Sequence, residues 1–91
     1  MIFDKRITAI RNDIASDDFK GLIKRKKFVQ GKKHRVISVY SPLYSLKNSK
    51  LSTQLLYGEE CSVFDTSKGW SWVQSLRDGY VGYTPSKNIK K

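Results

Sequence analysis

From Arg35 onward, apolar and polar side chains alternate along the chain, the period-two signature of strands. RVISVY places Val36, Ser38 and Tyr40 on one side and Ile37 and Val39 on the other. Pro42 is expected to end that strand, because proline cannot donate to a ladder. SPLYSLKNSKLS reads as a polar loop, and QLLYGEECSVFD as a short apolar run, a Gly58-Glu59 turn and a strand around Cys61 to Phe64. TSKG is a turn, and WSWVQSL alternates strongly in β-forming residues. Asp78-Gly79 is a hairpin signal, YVGYTP a strand closed by Pro85, and SKNI a short turn into a last β residue. Turn signals every ~8–12 residues predict a mainly β fold, a small barrel of about five to six antiparallel strands. No helical pattern alternates with the strands, so a parallel α/β sheet is not expected.

The first third of the chain has no such period. Ile7, Ile10 and Ile14 fall at helical spacing within a stretch rich in Asn, Asp and Ser, which favour turns and caps. It is expected to form an arm with one helical turn. A basic run from Lys24 leads into Phe28 and Val29, and Gly31 marks a turn between two extended pieces. The chain divides into a basic N-terminal arm and entry strand over 1–34 and a barrel over 35–91.

Composition narrows the function classes. Ninety-one residues suit one small domain with a modest core. Two Trp, five Tyr and four Phe indicate a folded chain rather than a disordered one. The formal charge is +10, from 18 Lys and Arg against 8 Asp and Glu. Lys20, Lys24, Arg25, Lys26, Lys27, Lys32, Lys33 and Arg35 follow one another with no acid between them. Such a block is either a solvated face or an attractor of phosphates, anionic lipid or acidic polymer. One Cys and one His cannot supply the three or four ligands of a zinc site. The glycines are scattered, not gathered into a phosphate loop, and no cofactor is expected. No apolar run reaches the ~18 residues of a membrane span, and MIFDKRITAIRNDI has no apolar signal-peptide core.

The stretch from Leu51 to Ile89 carries a recognisable constellation. Gly58-Glu59 precedes a strand, Gly69-Trp70 opens the next, and Asp78-Gly79, Gly82-Tyr83 and Pro85-Ser86 close the unit. These residues resemble an SH3-like barrel. LSTQLLYGE, GWSWVQ and DGYVGYTP are similar to the bacterial SH3 domain at the N-terminus of NlpC-type cysteine peptidases, γ-D-glutamyl-L-diamino-acid endopeptidases that cut peptidoglycan stem peptides. The upstream piece from Gly21 through VISVYSPLYSL suits the same family's entry strand, so the resemblance covers about 70 of the 91 residues.

The resemblance implies a non-catalytic module. The family's peptidase activity lies in a downstream domain with an Asp-Cys-Ser nucleophile and a His, and that domain is expected to be absent from this chain. Glu60-Cys61-Ser62 is not that nucleophile, because Cys61 falls in a strand and no helix follows to depress its pKa. A Cys61–His34 dyad lacks a third group. The implied partners are a wall stem peptide and the downstream catalytic domain, in the bacterial cell envelope or the cytoplasm.

Recognition is therefore expected to rest on aromatic side chains, which exceed what so small a barrel can bury. Trp70 and Trp72 share one face of their strand, and Val73 takes the core side. The candidate ligand contacts are Tyr40, Tyr44, Trp70, Trp72, Asp78 and Tyr83. One Trp could instead lie under the arm. A proline-rich ligand fits poorly, since Asn88 stands where an SH3 groove carries tyrosine and SPLYSLKNSK has no acid. The rival reading is a nucleic-acid-binding small barrel that uses its basic arm and aromatics. A third possibility is a purely intramolecular lid.

Overall fold

The computed structural model describes residues 4, 6–45 and 51–91. Strands β3 (Lys32–Val36), β4 (Tyr40–Tyr44), β5 (Leu51–Leu56), β6 (Glu60–Ser67), β7 (Trp70–Ser75), β8 (Val81–Pro85) and β9 (Ile89–Lys90) form one curled antiparallel sheet, in the order β5-β4-β8-β7-β6-β3-β9. It is a small SH3-like barrel. Ahead of it, β1 (Ile14–Ser16) and β2 (Lys27–Val29) pair in parallel as a separate two-stranded sheet within the arm.

The sheet has seven segments rather than five to six, and the extra count has two sources. β9 adds two residues beside Arg35 and Val36. The RVISVY run does not continue as one strand: β3 stops at Val36, and β4 begins at Tyr40. Pro42 does not end a strand either but lies inside β4, opposite Gln54. The Pro42 carbonyl accepts from the Thr84 hydroxyl at 2.6 Å, on the β8 side. A strand residue's N–H and C=O point to the same side, so the donor that Pro42 lacks faces β8 and leaves the β4–β5 ladder intact. Gly82 opposes this segment. A Cβ built there would stand 2.5 Å from the Tyr44 carbonyl oxygen and 3.0 Å from Leu43 Cγ, so β4 can cross β8 only over a glycine.

The turns follow the sequence closely. Lys68 and Gly69 both take positive φ, 52° and 84°, the two-residue hairpin geometry that matches strand twist. The arm departs from its helical spacing. Ile14 is a buried strand residue, and the one helical turn is a 3-10 turn over Asp17–Phe19, capped by the Ser16 hydroxyl accepting from the Asp18 N–H. Pairing with β2 holds Ile14–Ser16 extended, and the Ser and Asp residues supply the local cap.

Two hydrophobic clusters lie on opposite faces of the sheet. The inner one comprises Val36, Leu43, Leu55, Cys61, Val63, Val73 and Ile89. The outer one joins Ala9 and Ile14 of the arm to Phe64, Trp72 and Val81 of the barrel. The arm is tied down by its backbone as well. The Val81 N–H donates to the Arg6 carbonyl at 2.7 Å, and the Gln74 amide to the Ile7 carbonyl at 3.1 Å.

Candidate ligand-binding cleft

Strand register gathers the aromatic residues. Trp72 pairs with Tyr83 across β7 and β8, and Tyr83 pairs with Tyr44 across β8 and β4. Directly opposed residues share a face, and Trp70 lies two positions from Trp72, so all four rings stand on one side of the sheet. Tyr44 meets Trp70 edge to face, with ring centroids 5.8 Å apart. Trp70 is half-buried, whereas Trp72 is only 4% exposed and packs on Phe64 at 5.5 Å.

Arg11 of the arm closes over this face. Its guanidinium lies 4.9 Å from the Trp72 ring centroid, a cation–π contact. It donates to both carboxylate oxygens of Asp13, at 2.7 and 3.0 Å, to Asp65 at 3.0 Å and to the Tyr83 hydroxyl at 3.3 Å. The Asp13 bond does most to raise the Arg11 pKa, with Asp65 and Tyr83 adding to it against partial burial. Conversely, the Arg11 guanidinium holds the Asp13 carboxyl below its ordinary value. Together Arg11, Asp13, Asp65, Ser67, Trp70, Trp72 and Tyr83 line a cleft of about 350 Å³. One arginine and two aspartates face it, so an otherwise basic chain presents local carboxylates there.

Of the six candidate contacts, the fold brings together Tyr44, Trp70, Trp72 and Tyr83, with Trp72 as the covered floor. Tyr40 is 53% exposed at the other end of β4, paired with Leu56. Asp78 sits in the β7–β8 turn, at the far end of the hairpin from Trp70. Burial works to raise the Asp78 pKa, but the Tyr80 N–H and Arg77 outweigh it and leave it lowered. Sequence reasoning missed Arg11, Asp13 and Asp65. An Arg-x-Asp pair within a basic arm, and an aspartate in the middle of an apolar strand, were the available signals.

The Cys61 thiol is fully buried in the inner cluster, and burial pushes its pKa up to about 11, the opposite of an activated nucleophile. Register places His34 opposite Cys61, but the imidazole Nδ1 lies 3.0 Å from the Lys32 carbonyl oxygen. Among the described residues no group of three or more His, Cys, Asp or Glu is placed to hold a metal ion. No helix among them is long and apolar enough to cross a membrane.

Residues 45–89 match the family model of the bacterial dipeptidyl-peptidase SH3 domain. This part of the chain is similar to a bacterial SH3 domain of the peptidase-associated type. The match spans β5 to β9 and therefore includes Asp65, Trp70, Trp72 and Tyr83 of the cleft, while Arg11 and Asp13 are added to the SH3 domain by the arm. Such a domain is a non-catalytic module. Comparison with curated proteins gave no match, and comparison with solved structures gave none either.

Proposed function

We propose that this SH3 domain is the substrate-holding part of a peptidoglycan endopeptidase, binding the wall stem peptide and shaping one end of the cleft of a downstream NlpC-type cysteine peptidase domain. The observation that carries the reading is the cleft between arm and barrel. Trp70 and Tyr83 offer flat contact area at low entropic cost, and Asp65, Asp13 and Ser67 offer polar partners at its rim. A nucleic acid fits this cleft less well, because Asp13 and Asp65 would face its phosphates.

Retention on purified peptidoglycan at low salt tests the reading, with Trp70→Ala as the variant. Trp70 is half-buried at the cleft, so its truncation is expected to weaken retention by about tenfold or more. No retention of the native chain, or retention unchanged in Trp70→Ala, would overturn the assignment. Stronger retention on a polynucleotide than on peptidoglycan would favour the nucleic-acid reading instead.

A further inference from the structure

The basic run ahead of the barrel folds into a turn of defined shape. Lys20 bridges Ile23, and the Leu22 and Ile23 N–H groups both donate to the Phe19 carbonyl, at 3.0 and 3.3 Å. The turn passes through Gly21 at φ 90° and carries Leu22 at its tip, 62% exposed. Lys20 and Lys24 flank that tip, Lys26 and Lys27 lead into β2, and all four lysines are exposed. Arg25 is half-buried instead. It donates to the Arg11 and Lys24 carbonyls, each at 2.7 Å, and so ties the turn to the arm. The Lys27 N–H adds a bond to the Asp13 carbonyl at 3.2 Å. From residue 17 to residue 27, five cations stand against Asp17 and Asp18, and the nearby Asp13 carboxylate is held by Arg11. Among the described residues none of the four lysines forms an ion pair. None of them, nor Leu22, lines the aromatic cleft.

We infer that this turn docks on an anionic lipid surface, with Leu22 entering the headgroup layer and Lys20, Lys24, Lys26 and Lys27 meeting lipid phosphates. The two features select lipid only in combination. Lysines alone would suit any polyanion, and a single exposed leucine is ordinary on a protein surface. A phosphate polymer would meet the lysines but leave Leu22 in water. A lipid surface has apolar material beneath its charges and takes both. Lysine suits such a boundary, because its stem lies along apolar surface while the ammonium group stays at the phosphates. The turn is already held to the arm by Arg25 and Lys27, so docking orders little new backbone.

The test is co-sedimentation of the full chain with vesicles of phosphatidylglycerol and phosphatidylcholine in equal parts, and with vesicles of phosphatidylcholine alone. Binding is expected to the first and not the second, and to weaken as salt rises. Leu22→Ser is expected to weaken vesicle binding by about tenfold, the lower end of what burying a leucine supplies. The same variant should leave binding to soluble inorganic polyphosphate unchanged. Lys24→Gln combined with Lys26→Gln is expected to weaken vesicle binding by about tenfold or more, since each lysine at an anionic surface is worth about fivefold. All these residues are exposed, so both variants keep the fold. No binding to the anionic vesicles, or equal binding to the neutral ones, would overturn the inference. Vesicle binding unchanged by Leu22→Ser would reduce the turn to a general phosphate site and also overturn it, as would binding unchanged by the double lysine substitution.

Discussion

The sheet is covered on both faces, but the two covers are of different kinds. The inner cluster is built wholly from barrel strands, and its large members, Leu43, Leu55, Val36 and Val73, are fully buried. The outer cluster needs the arm for Ala9 and Ile14, and it is clamped by Arg11 reaching Asp13, Asp65 and Tyr83. The inner face is held by non-directional burial, which depends on area and little on salt or acid. The outer face adds charge-assisted bonds at a partly wet surface, where salt and pH both act. A cleft can form on the second kind of face because its cover is ionic and partial.

The sharpest way to break this comparison is to open each cover in turn. Leu43→Ala leaves a cavity in the inner cluster and is expected to cost about 2–5 kcal/mol, read as a lower denaturant midpoint for the whole domain. A cost under about 1 kcal/mol would mean that the inner face is not the main support. Arg11→Met removes the clamp and keeps an aliphatic stem over Trp72. It is expected to cost about 1–3 kcal/mol and to red-shift tryptophan emission. Its effect should shrink at high salt, whereas that of Leu43→Ala should not. Unchanged emission would mean that the arm holds Trp72 without Arg11.

The smallest effect separates the faces by pH. Arg11 lowers the folded pKa of Asp13, so this contribution is present above the unfolded value near ~3.9 and is lost as pH falls through the lower folded value. Burial raises the folded pKa of Cys61, so its contribution is present below the unfolded value near ~8.5 and is lost as pH rises towards about 11. Amide exchange should therefore rise first at Ala9 and Ile14 in acid, and first around Cys61 in alkali. Loss of both regions together at either extreme would show that the clusters are not separable.

How much of this was legible in the sequence follows the same division. The inner face obeys the period-two rule, so Val73 as a core residue and Cys61 as a strand residue could be read directly. The hairpin turns were legible because Gly69 and Gly79 take positive φ that few other residues accept. The outer face was not, because its contacts join residues far apart in the chain. Arg11 meets Asp65 and Tyr83, and no local spacing announces such pairings. The helical spacing of Ile7, Ile10 and Ile14 misled because pairing with β2, not an amphipathic helix, buries Ile14. Pro42 misled because its missing donor matters only on the side where a ladder bond was needed.

Gly82 carries a consequence for heredity. The crossing of β4 over β8 is made by an atom that is not there, since a methyl group would overlap the Tyr44 carbonyl. Every missense change at a glycine codon installs a larger residue, so no point mutation at this position is conservative. The position tolerates silent drift alone, while exposed Val39 beside β4 and exposed Tyr57 beside β5 are free to wander.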